Sequence, residues 1–122
     1  MSLSISGTLS TLLGLLHVYI LVLEMFLWTT PRGRKSFKLT ADFAEKSRPL
    51  AANMGLYNGF LAAGLFWGLV HPVASFGSQI LVFFQGCIVV AGLFGAATSS
   101  KRILYVQAIP GALTLAATLL EI

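Results

Sequence analysis

A mainly apolar run from Leu9 to Trp28 limits what this chain can become more than any other stretch. It covers about 20 residues, which at a rise of ~1.5 Å per residue spans roughly 30 Å, the hydrocarbon thickness of a bilayer. Inside it lie His17 and Glu24, related as i and i+7. That spacing is close to two helical turns, so both project from one face. A charged side chain deep in a membrane span costs at least ~2.5 kcal/mol on insertion scales and faces a bundle interior or a cavity. The stretch from His17 to Trp28 therefore predicts a buried polar site on a membrane helix.

The composition fits a chain solvated by lipid. Of 122 residues, 57% are hydrophobic and 10% charged, and the mean hydropathy is +0.86. A soluble domain carries about 25% charged residues. The length allows a single domain. The formal net charge of +4 could suggest nucleic acid, but the basic residues are confined to two short connections. That pattern is topological and argues against a nucleic-acid partner. Cys87 stands alone in an apolar run, which excludes an intramolecular disulfide and reads as a small buried hydrophobe. The segment from Met1 to Thr8 has no Lys or Arg, and the apolar core continues to Trp28. A retained helix is expected rather than a cleaved secretory signal.

Four spans are predicted, over residues 9–28, 50–70, 76–98 and 103–120. The expected fold is all-α, an integral membrane four-helix bundle forming one domain. Pro110 lacks an N–H and clashes with the preceding turn, so the fourth span should deform near Gln107. All Lys and Arg residues fall in two places: Arg32, Arg34, Lys35, Lys38, Lys46 and Arg48 after the first span, Lys101 and Arg102 after the third. With four spans these connections share one side. The positive-inside rule then puts both in the cytoplasm and both termini outside.

The basic loop over residues 29–49 is too long for a tight turn. Pro31 and Gly33 mark a bend. Thr40 can cap a short helix beginning at Ala41, with Asp42 near its positive end, and Pro49 suits the first turn of the second span. Phe37, Leu39 and Phe43 mingle with the cations, as in a segment resting on anionic headgroups. The loop reads either as a topogenic segment on the membrane or as an anion-binding lid. Membrane lipids are expected partners in both cases.

Polar residues within the spans cluster toward the cytoplasmic side: Glu24, Asn53, Asn58 and Gln107, with His17 and Gln85 deeper and Gln79 toward the outer end. Asn53 and Tyr57 are four apart and share a face. Asn58 is rotated from Asn53 by about 140°, so one serves a site and the other a helix contact. The plainer role for a membrane Asn or Gln is an interhelical hydrogen bond. For Glu24 it is an ion pair with Arg32 or Arg34, and for His17 a hydrogen bond in the core. Two G-x-x-x-G patterns, Gly55 to Gly59 and Gly64 to Gly68, and Ala91 with Gly95, favour close helix packing within or between chains. Four short spans enclose little volume, so a homo-oligomer is expected. Trp28 and Tyr105 fall where a cytoplasmic aromatic belt would lie.

His17 and Glu24 could relay a proton. They supply half a metal site, with no third and fourth ligand at suitable spacing, so no metal is expected and no cofactor is identified. No nucleophile elbow, phosphate-binding glycine loop or HExxH helix is present.

The stretches from His17 to Arg34 and from Leu50 to Leu65, with Gly95-Ala-Ala-Thr98 and Gln107-Ala-Ile-Pro110, resemble domain-of-unknown-function family 1304, small bacterial membrane proteins of four predicted helices. The resemblance covers nearly the whole chain and implies a bacterial plasma (inner) membrane. It implies that His17, Glu24, Asn53, Tyr57, Asn58 and Gln107 are the signature polar positions. Family members often carry Gln where this chain has Met54. Weaker likenesses are to four-helix glutathione- and eicosanoid-processing membrane enzymes, through Arg48, Asn53 and Asn58, and to small multidrug transporters, through a Glu in the first helix.

These six residues form the expected ligand site of a protein that binds or transports a small amphipathic or charged molecule. The competing expectations are a membrane enzyme with Glu24 or His17 as acid or base, and a structural subunit of a larger complex. Whether His17 and Glu24 touch each other stays open at this level.

Overall fold

A computed structural model describes residues 4–122. These residues form helices and turns, with no strand among them. In order they are α1 (Ile5–Met25), α2 (Pro31–Phe37), α3 (Ala41–Val70), α4 (Ala74–Thr98), a π-helical stretch (Leu104–Ala108) and α5 (Ile109–Leu119). The expected all-α class holds. Two of these helices, α1 and α4, are long and apolar enough to cross a membrane by length and composition. The charged first turns of α3 and its two asparagines dilute its apolar character, and the apolar stretch Leu104–Leu119 is shorter than a span.

Two helices depart from expectation. The short helix begun at Ala41 and the second span are one continuous helix of 30 residues with Pro49 inside it. Pro49 and Glu45 are both exposed, so the carbonyl that the proline leaves without its helical donor can be solvated and the helix continues. The disturbance before Pro110 falls at Gln107 as the sequence demanded, but as a widened turn. The Ile109 N–H reaches back to Leu104 O, an i to i−5 bond that reconciles the proline with its preceding turn. Pro110 then occupies the first turn of α5, where a missing N–H costs nothing.

The chain divides into two compact units. One comprises Leu15–Ala62, the other the described residues up to Gly14 together with Ala63–Ile122. In the second, α4 is the central partner. The close approach of its Gly92 leaves no room for a side chain: a Cβ there would lie 2.6 Å from the Ala108 nitrogen of the π-helical stretch. Gly64 and Gly68 of α3 seat Phe84 and Leu81 of α4 in the same way. Leu65 and Ile88 are fully buried. In the Leu15–Ala62 unit the α1–α2 connection is folded rather than draped. Trp28 is buried with Ala44 and Ala51, and Phe37 and Leu39 pack against them. Two of the three apolar side chains expected on a membrane surface are thus spent on an internal core, and Phe43 remains exposed.

Candidate functional site

The site grows from the end of α1. Glu24 is its penultimate residue, and the chain then reverses through Phe26 and Leu27, whose N–H groups both reach Val22 O, at 3.0 and 3.1 Å. Thr30 begins α2: its hydroxyl donates to Leu27 O at 2.6 Å and accepts from Gly33 N at 3.3 Å. Pro31 fills the first turn. Any Cβ on Gly33 would collide with the Leu27 carbonyl, so only glycine lets α2 fold this closely onto the turn. Lys38 ends α2 in the left-handed region, at φ 55°. Thr40 then caps α3 by accepting from Phe43 N at 3.2 Å, as its position in the sequence implied. Trp28 ties the connection to α3, its Nε1 donating to Ser47 Oγ at 3.0 Å.

This framework brings α3 against the last turns of α1. Gly55 and Gly59 are the contact surface: Cβ atoms there would press on Met25 and Leu21 of α1. Asn58 lies on the same face, three residues after the first glycine and one before the second. Its Nδ2 donates to Glu24 Oε1 at 2.6 Å and to its own helix at Met54 O, 3.1 Å away. Glu24 is 2% exposed. The partner of the buried carboxylate is therefore an amide from another helix. The arginines proposed for an ion pair go elsewhere: Arg32 Nη1 donates to Tyr19 Oη at 3.0 Å and Arg34 Nε to Leu39 O at 3.4 Å. His17 is fully buried, two turns before Glu24 on α1.

The remaining expected residues are distributed differently. Asn53 Nδ2 donates to Pro49 O of its own helix at 2.9 Å, on an exposed face. Tyr57 is exposed on that face, its ring beside Phe60. Gln107 is half-buried in the π-helical stretch of the other unit. Of the six, then, Glu24 and Asn58 are joined directly. The signal that separates Asn58 from Asn53 was present in the sequence, because Gly55, Asn58 and Gly59 share a helical face and Asn53 does not.

The sequence reading overlooked Ser10 and Tyr19. Ser10 and Gln85 are both fully buried. Gln85 Nε2 donates to Ser10 Oγ at 2.9 Å, whereas Gln85 Oε1 has no hydrogen-bond partner among the described residues. Tyr19 borders an open cleft of ≈ 410 Å³ with Pro31, Arg32, Lys35 and Ser36. Among the described residues no three His, Cys, Asp or Glu side chains gather as a metal ion requires.

A carboxylate held by one amide can exchange that amide for a proton, a cation or a donor group on a ligand. No solved structure matches the chain. It is 30% identical over 101 residues to the uncharacterised protein YpaA of Lactococcus lactis subsp. lactis (strain IL1403), covering 81% of this chain and 83% of that one. The family model for proteins of unknown function designated DUF1304 matches residues 11–119, the helical region that carries Glu24, Asn58 and the basic connection, and the chain belongs to that family.

Proposed function

We propose that this is a multi-pass inner-membrane protein whose Glu24–Asn58 pair, with His17 on the same face of α1, is a polar centre that binds or moves a small amphipathic or charged molecule. The observation that carries this reading is the contact itself: a carboxylate 2% exposed, 2.6 Å from an amide nitrogen of a different helix. Such a group is costly in an apolar setting and is tolerated where it has work to do. Membrane embedding is supported by the surface. Only 22% of the apolar window of α1, and 22% of that of α4, is buried, and the outward faces include Val90 and Phe94. Apolar surface on this scale needs lipid or a partner to cover it. The α3 segment after Pro49 and the Leu104–Leu119 stretch complete four crossings in this proposal, with the basic connections in the cytoplasm.

A second reading is favoured by one observation. Gly55 and Gly59 seat α3 directly on α1 around the pair, so Glu24–Asn58 can serve solely to hold the two helices in register. Glu24→Gln separates the readings, because a glutamine oxygen still accepts from Asn58 while the ionisable group is gone. Native mass spectrometry of protein purified in gentle detergent is the measurement. A small molecule carried by the wild type and lost from Glu24→Gln and His17→Ala supports the binding centre. Identical spectra for all three proteins would leave only the structural role.

A further inference from the structure

We propose that the cleft between Tyr19 of α1 and the outer face of α2 is a phosphate-binding site, taking the phosphate of an anionic lipid headgroup or a free phosphate group. The Leu15–Ala62 unit carries an excess of positive charge around α2. Each of its carboxylates has another group nearer to it than the α2 cations. Asp42 pairs with Lys46 at 3.1 Å and Glu45 with Arg48 at 4.0 Å, and Glu24 is buried against Asn58. The cations without a carboxylate partner are Arg32, Arg34, Lys35 and Lys38, all on α2 or its cap. Four like charges within seven positions repel one another, so an anion bound there gains from all of them.

Two of the four line the cleft. Arg32 and Lys35 are related as i and i+3 and so stand on the same side of α2. Arg32 is tethered to α1: the Tyr19 hydroxyl accepts from its Nη1 at 3.0 Å. That bond leaves the guanidinium's other N–H groups and the phenol's own hydrogen available as donors. A planar guanidinium with a positioned fork beside a lysine point charge is the donor set that phosphate oxygens favour. The Thr30 cap, the Gly33 contact with Leu27 and the packing of Phe37 on Trp28, with ring centroids 4.8 Å apart, anchor α2 to the rest of the unit. The cleft volume of ≈ 410 Å³ accommodates a phosphate with its ester substituent.

The test is a titration of the full chain in neutral detergent, read by native mass spectrometry, with phosphatidylglycerol, phosphatidylcholine and inorganic phosphate as separate probes. Phosphatidylglycerol should bind more tightly than phosphatidylcholine. Loss of Arg32 or of Lys35 should each weaken it roughly five-fold, so R32Q/K35Q should bind about 25-fold more weakly. Tyr19→Phe, which releases Arg32 without removing charge, should cost a smaller factor of about three. Lys46→Gln removes a cation already paired and should stay within about two-fold of the wild type. If inorganic phosphate competes equally and is lost with the same variants, the site stands and its ligand is a free phosphate group. Wild-type indifference to every phosphate probe, unchanged binding by R32Q/K35Q, or an equal loss in Lys46→Gln would overturn the proposal, the last by showing a diffuse charge effect. Arg32 and Lys35 are exposed, and unchanged thermal unfolding of the double variant would show that the fold is intact.

Discussion

Glu24–Asn58 and Gln85–Ser10 each join two helices through a side-chain amide nitrogen, at 2.6 and 2.9 Å, one pair in each compact unit. They differ in the acceptor and in what is left over. In the Gln85 pair the acceptor is a hydroxyl, and the unused capacity sits on a neutral amide oxygen without a partner among the described residues. Its desolvation cost is the same in every state of the protein. In the Glu24 pair the unused capacity sits on an ionisable group. Its cost changes when a proton, a cation or a ligand donor arrives. A buried neutral crossing can specify how helices pack, but only the ionisable one can also respond to something outside the fold.

Damage confined to one unit should leave the other folded. Gly92→Val should destabilise by about 3 kcal/mol, since its side chain enters the Ala108 backbone of the π-helical stretch. Hydrogen exchange should rise in α4 and α5 while residues 15–62 keep their protection. Uniform loss across the chain would show that the units do not unfold separately.

Asn58→Ala should come next, at about 2–3 kcal/mol in a detergent unfolding experiment, because it leaves a buried carboxylate without its amide donor. Glu24→Gln should cost less than about 1 kcal/mol, since an acceptor remains. Equal losses would remove the special standing of the carboxylate. On the other side, Ser10→Ala should cost about 1–2 kcal/mol by stripping Gln85 Nε2 of its acceptor, whereas Gln85→Met, of similar volume and without the orphaned oxygen, should stay within about 1 kcal/mol of the wild type. A large loss for Gln85→Met would mean that this crossing too does more than hold helices together.

Local physics made several features legible in advance. Thr40 before a helix-forming run predicts a cap, and the hydroxyl accepts from Phe43 N. Pro110 inside a helical run predicts a disturbance one turn earlier, and the π-helical stretch includes Gln107. The i, i+7 spacing of His17 and Glu24 predicts a shared face, and both side chains are buried. The connection over residues 29–49 was not legible. Its aromatic residues among cations describe a surface segment and a folded one equally well. What separates the two is the distant partner, Ser47 and Ala44 closing on Trp28. The continuity of α3 through Pro49 escaped for a related reason: a proline's penalty depends on whether the freed carbonyl is solvated, which is a property of the surroundings.

From the sequence by itself followed the helical class, the apolar runs, the confinement of positive charge to two connections and the presence of a carboxylate where carboxylates are costly. These depend on side chains within a turn or two of each other and on transfer between water and an apolar phase. The choice of Asn58 over Asn53 as partner for Glu24, the diversion of Arg32 to Tyr19 and the folding of α2 over Trp28 were decided only in the tertiary structure. For Glu24 two asparagines offered the same chemistry, and for Arg32 a carboxylate and a phenol were both acceptable acceptors. The selection was made by backbone approach at Gly55, Gly59 and Gly33, where the absence of a Cβ let one helix or turn come close enough to exclude the alternatives.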